Sequence, residues 1–415
     1  MWRRLRTVLD PLTAHNFAID AGAIGLFAIF QALTSPFIAV VVVRRGAVPW
    51  EVGVLAAAPS AAMLLSGWYA RLAQGRRLVP IVVWTTAAAR ILLLVMAWAR
   101  GLPTYIVSYT AFCLVTAVSN PAYSAIEAGI YREPWRGRLM AGVRTVLGFF
   151  QFAAMLVAGR LLQHFGHARV WTVAVVFGLL SSALFSRMRE PATAPAPAQP
   201  RRAVGALGLV RADPRFRALI VAVMLAGGGN LLVQPGYPIY QVHRLHLGDG
   251  AVALLSAAWA LAWTLFYPLW GRVCDQRRPA HAIAISFGCY VVVPLCYALG
   301  APLPVLLGAS VVQGIGDSAL DAGWQNHVMR LAGERTRVYA GAYYTFLGIR
   351  GTLAPILGGL IAARFGLVPL FVAGAVATAA GLWTARRLPD GPLEDRNLAL
   401  GGGAAGVAGV AAPGG

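Results

Sequence analysis

The sequence predicts an all-α integral membrane protein of twelve transmembrane helices, arranged as two pseudo-twofold-related six-helix bundles. Three observations carry that expectation. The 415 residues are 58% hydrophobic and only 12% charged, with a mean hydropathy of +0.66, too little charge to cover a soluble domain of this length. Twelve apolar segments of 19 to 28 residues follow one another, and each can cross a hydrocarbon layer of roughly 30 Å. Short motifs also recur across the two halves at an offset of 199 to 200 residues.

In order, the first segment (16–43) follows the basic cluster Arg3, Arg4 and Arg6, and the second (50–70) follows Arg44 and Arg45. The third (79–99) starts after Arg76 and Arg77, and the fourth (103–126) carries Asn120-Pro121, a pair expected to break the helix and free backbone carbonyls. The fifth (139–162) and sixth (169–187) complete the first half. The seventh (217–241) contains Gln234-Pro235-Gly236-Tyr237-Pro238, an irregular stretch tolerated only where it is buried or lines water. The eighth to twelfth are 251–271, 280–299, 303–328, 338–362 and 366–386. The chain thus divides into residues 1–189, a cytoplasmic linker at 190–210, a second bundle at 211–390, and a low-complexity tail at 391–415 expected to be disordered. The repeat is explicit. RLMAG at 138–142 answers RVYAG at 337–341, AG at 158–159 answers GG at 358–359, and HFG at 164–166 answers RFG at 364–366.

Charge sets the orientation. The net charge is +20, and all 35 basic residues are Arg. They lie in clusters between apolar runs, the pattern of a positive-inside membrane protein rather than of a nucleic-acid binder. With the N-terminus inside, 25 Arg fall in inner segments and seven in outer loops, placing both termini in the cytoplasm. Cys113, Cys274, Cys289 and Cys296 lack metal spacing and read as packing residues, and His164 with His167 is a poor metal set. No metal or cofactor is expected.

The loop after the second segment reads GWYARLAQGRR, from Gly67 through Arg71 to Arg76 and Arg77, and the loop after the eighth reads GRVCDQRR, with Gly271, Asp275, Arg277 and Arg278. Both resemble the Gly-x-x-x-Asp-Arg loop of the major facilitator superfamily, over almost the whole chain. The resemblance implies a charge network latching the halves on the cytoplasmic side. The first copy departs from the pattern, with Arg71 at the Asp position. The subfamily is unresolved: the fourth segment has no Arg and the fifth no Pro, whereas GTLAPILGG occupies 351–359.

Stepping residues by 100° groups polar side chains into stripes. These are Asp20 and Gln31; Asn120, Ser124 and Glu127 with Tyr123; Asn230, Gln234, Tyr237 and Gln241; and Gln313, Asp317, Asp321 and Trp324. They lie on segments one, four, seven and ten, the helices that line the central cavity in the family fold. Glu127 with Arg144, and Asp317 with Arg350, are two candidate structural ion pairs. Arg90 has no evident local partner and reads as structural.

The expected function is secondary active transport of a small molecule across a bacterial cytoplasmic membrane by alternating access, with proton coupling and efflux of drugs or metabolites as the leading form. Asp20, Glu127, Asp317 and Asp321 are the coupling candidates, Asp321 first among them because two neighbouring carboxylates resist ionising together. Proton-coupled uptake or facilitated diffusion is the alternative, and a non-transporting receptor or scaffold the alternative from another class. Neither a Gly-Lys-Ser/Thr phosphate loop nor a Ser/His/Asp arrangement is present, so an enzyme is not expected. The expected partners are a small-molecule substrate, protons and the lipid bilayer, with no nucleic acid, and the chain is expected to be a monomer.

Overall fold

The computed structural model describes residues 10–66, 68–69, 75–131, 136–190, 205–276, 279–332 and 335–388. Among these residues every regular element is helical. The helices are α1 (Pro11–Arg44), α2 (Pro49–Leu64), α3 (Leu78–Trp98) and α4 (Leu102–Ile130). Arg136–Phe185 runs as one element broken at Gly166 (φ 74°, ψ 159°), and its arms, 136–165 and 167–185, are α5 and α6. A short helix, Ala206–Ala212, precedes α7, which comprises Pro214–Val233 and, after a break, Gly236–His243. Then come α8 (Asp249–Gln276), α9 (Pro279–Ala298), α10 (Leu303–Ala332), α11 (Thr336–Phe365) and α12 (Leu367–Ala385).

Sequence chemistry explains most ends. Pro11, Pro49 and Pro214 stand at first helical positions, where the missing N–H costs nothing. Asp10 caps α1 by accepting from the Thr13 amide at 2.8 Å, and Asp213 caps α7 by accepting from Arg215 and Phe216. The break in α7 falls at Pro235, whose ring cannot continue the hydrogen-bond ladder. Gly166 and Gly366 (φ 90°, ψ 179°) reverse the chain with no intervening loop, and that backbone conformation excludes a side chain at low cost.

Two expectations change. The second helix is interrupted at Leu65: Pro49–Leu64 is one helical piece, and Ser66, Trp68 and Tyr69 are helical beyond it. The last residues assigned to the linker are helical, because Ala206–Ala212 is apolar enough to pack under α7 through buried Leu209. Residues 191–204 of the linker, the tail from residue 389, and Gly67, Arg71, Arg277 and Arg278 of the expected latch lie outside the described residues. Gly271 is on α8, and Arg76 and Arg77 are exposed at the start of α3.

The exterior is apolar where a soluble protein would be polar: Trp84 is 74% exposed, Val107 67% and Val376 63%. Helices of this length and composition suit a lipid surround. Between the halves, α2 meets α11 and α5 meets α8, the exchange of partners that a twofold axis produces. A methyl on Gly159 would lie 2.6 Å from the Gly250 Cα, and one on Gly53 would approach the Pro355 carbonyl at 2.5 Å. Backbones touch there. At the same end, opposite the termini, Arg44 bridges to Asp249 at 2.5 Å and donates to the Leu247 carbonyl at 2.8 Å.

Candidate functional site

A cavity of about 780 Å³ opens among α1, α2, α3, α4, α5, α6 and the start of α11. Its walls are mixed. Ile24, Phe27, Val82 and Phe185 supply apolar surface, while Asp20, Thr86, Arg90, Thr116, Asn120, Glu127 and Arg144 supply polar groups. Met63, Leu64, Gly341, Tyr344 and Thr345 line its part nearest the chain termini. Closed packing at one end and a cavity reaching toward the other give the bundle a direction.

Asp20 is 1% exposed. Its two oxygens accept separately, from Tyr123 Oη at 3.0 Å and from Tyr131 Oη at 2.6 Å. A buried carboxylate needs such donors, because each lone pair removed from water without a partner is costly. Glu127 is also buried, seven residues along α4 from Asn120 and four from Tyr123, hence on the same face. Arg144 reaches this region from α5 but forms no ion pair with Glu127, and that candidate pair is not made.

The stripe on α10 has a different surrounding. Asp317 accepts from Trp259 Nε1 at 2.7 Å, Tyr290 Oη at 2.5 Å and Gln313 Nε2 at 3.2 Å. Asp321 is exposed and accepts from Trp263 Nε1 at 3.2 Å. Arg350 does not pair with Asp317. It donates instead to the Val223 carbonyl at 2.7 Å, over Gly227 on α7 where a side chain would leave it no room. Trp324 turns from the stripe and stacks on Tyr343, with ring centroids 4.4 Å apart.

Of the expected cavity residues, Asp20, Asn120, Tyr123 and Glu127 share the cavity wall. Gln31 is half-buried about three turns further along α1 and is not part of it. Asn230 joins Gln313 across α7 and α10 at 3.4 Å. Gln234 is exposed, and Tyr237 sits among Tyr297 and Phe371. Gln241 donates to Tyr297 at 3.1 Å.

Arg90, Arg144, Thr86, Thr116, Ser181 and Ser182 line the cavity as well, beyond the polar residues named from the sequence, although Thr116, eleven residues before Glu127, lies on the same face of α4. Hydroxyls on a helix usually bond back to the preceding turn, as Thr86 does to Val82, so their presence in a span carries little signal. The two Arg carried more: an intramembrane cation is costly enough to ask for a role.

The bundle of long apolar helices, with a polar cavity among α1–α6 and the start of α11 and close packing at the end opposite the termini, has the architecture of a polytopic membrane protein. The family model of the Major Facilitator Superfamily matches residues 5–303 and 221–410, and the chain belongs to that superfamily. It is similar to Rv1250 of Mycobacterium tuberculosis, an uncharacterized MFS-type transporter, at 25% identity over 167 residues, which is 40% of this chain. The chain spans 29% of the length of that relative. Among solved structures, the nucleoside transporter NupG superposes with a TM-score of 0.72 at 12% identity, over 90% of this chain and 99% of that one. A bacterial homolog of the human lysosomal transporter Spinster, in its inward-facing and unoccupied conformation, superposes with a TM-score of 0.63 at 14% identity, over 92% of this chain and 95% of that one. At these identities the likeness shows the fold.

Proposed function

We propose that the protein is a secondary transporter of a small organic solute in a bacterial cytoplasmic membrane, with both termini inside. Residues 1–189 and 211–390 are the two units that rock about the cavity. The observation that carries this reading is the asymmetric closure: one cavity with buried carboxylates, walled by helices of both halves, and contact between backbones at the end opposite the termini. In this reading the state described faces the cytoplasm.

Coupling to protons is part of the proposal. Asp20 and Glu127 share the cavity with Tyr123, and neither is tied to a cation. A carboxylate so placed can take a proton from one side and release it to the other as the cavity changes its exposure. Asp321 is the second reading, favoured by its single side-chain donor and its exposure.

Proteoliposomes holding the purified protein, supplied with a solute library with and without a pH gradient, test both layers. The expected result is a solute that accumulates or leaves only with the gradient. Asp20→Asn and Glu127→Gln should each abolish gradient-driven movement and spare solute exchange at equal pH. Loss with Asp321→Asn alone moves the coupling site to α10. If no solute crosses faster than in protein-free vesicles, the transport reading fails.

A further inference from the structure

The third helix holds a cation that the rest of the described residues leave unsatisfied. Arg90 is 3% exposed, yet its Nε and Nη1 are buried and donate to nothing. The guanidinium face lies over the rings of Phe30 and Phe27, at 4.5 and 5.4 Å from their centroids. Stacking of that kind offsets part of the desolvation but uses only the face, and the N–H groups project from the edge. Room for the side chain comes from Gly178 on α6, where a Cβ would lie 2.9 Å from Nε. From α4, Thr116 faces the same cavity with a second buried and unpartnered polar atom, Oγ1. One turn from Arg90, Thr86 and Ser182 bring their hydroxyls to 2.8 Å.

The acids of the cavity do not answer this cation. Among the described residues no ion pair reaches Arg90, and both Asp20 oxygens are occupied by tyrosine hydroxyls. Asp20 also lies seven residues before Phe27, about 10 Å along the α1 axis. Unsatisfied donors buried against a cavity large enough for a drug-sized molecule are what a binding site looks like before its ligand arrives.

We propose that the Arg90 end of the cavity is an oxyanion site. It takes the carboxylate or phosphate of an organic solute on the edge of Arg90 with Thr116 beside it, and the solute's apolar body lies against Phe27 and the aliphatic lining. The planar fork of arginine matches either group with two parallel hydrogen bonds. This names the class of cargo and so rests on the transport reading above.

The test is binding to the full-length purified protein by calorimetry, with 4-phenylbutyrate, phenyl phosphate and neutral 4-phenylbutyramide as probes. The expected result is that at least one anion binds about tenfold or more tighter than the amide, in line with a charge-assisted pair. The preferred anion identifies carboxylate or phosphate. Arg90→Gln should erase that preference and Arg90→Lys should restore part of it, as fork geometry is lost while charge remains. Arg169→Gln, on the exposed surface, should change nothing. Equal binding of anions and amide to the wild type overturns the proposal, as does an anion preference surviving in Arg90→Gln. Should Arg90→Gln fail to fold, Thr116→Val decides: unchanged anion affinity overturns the site, and a several-fold loss upholds it. Binding lost with solute flux intact sinks this site alone. Binding retained with no flux for any solute sinks the transport reading instead.

Discussion

Asp317 and Asp20 show how a membrane carboxylate becomes fixed. Asp317 is held by an indole, a phenol and an amide from three helices. Asp317→Ala strands all three donors, each at about 1–3 kcal/mol when buried. It should therefore lower the melting temperature in detergent sharply, whereas Asp321→Asn should leave it near the wild type. Equal melting of the two variants would show that the donors around Asp317 find other partners. Tyr131→Phe removes one of the two hydroxyls on Asp20 and should cost about 1 kcal/mol or more in the same assay, while the ring remains against Phe17. At this scale the sequence was partly legible. Asn120, Tyr123 and Glu127 share a face because helical geometry alone decides it. That Asp20 would meet Tyr123 and Tyr131 depends on which helices are neighbours, and no periodicity within one helix contains that. Arg350 failed as a partner for Asp317 for the same reason: its reach goes to an α7 carbonyl beside Gly227.

Among the elements, the spans were legible because lipid demands long apolar runs and punishes charge within them. The interruption of the second span at Leu65 was not, since apolar residues run through it without a Pro or Gly at that position to mark it. Proline announced the break in α7 correctly, yet Pro121 leaves α4 continuous from Leu102 to Ile130, so proline marks a weakness and neighbouring helices decide its outcome. The interhelical seams allow a sharper prediction. Gly159→Leu places a side chain where α5 touches Gly250 at the start of α8. It should hold that end apart, with folding retained and transport lost. Cysteine labelling from the side opposite the termini measures this: a cysteine at Ser60 should react faster in the Gly159→Leu background than in the wild type. Unchanged labelling and transport would mean that the seam yields by shifting a helix.

For the whole molecule, the proposed orientation rests on arginine placement, and fusions test it. A reporter inserted at residue 200, or joined after residue 415, should be active only as a cytoplasmic enzyme. Activity of a periplasmic reporter at either site overturns the assignment. The two-bundle plan was legible from the 200-residue echo of short motifs. The seal at one end was not, because it is made by glycines and one ion pair whose partners lie far apart in the chain.

The loop-free reversals at Gly166 and Gly366 have a mechanical meaning. Each joins two helices through a single residue near the sealed end, so α5 with α6, and α11 with α12, have the shape of bent levers with the bend there. The 30 residues of α11 make an arm of about 45 Å. Turning such an arm through about 10° sweeps its far tip by about 8 Å, while the pivot scarcely moves. Gly341, Tyr344 and Thr345 sit near that far tip. Under the transport reading proposed above, a small rotation at the sealed end would be magnified into the closing of the cavity mouth.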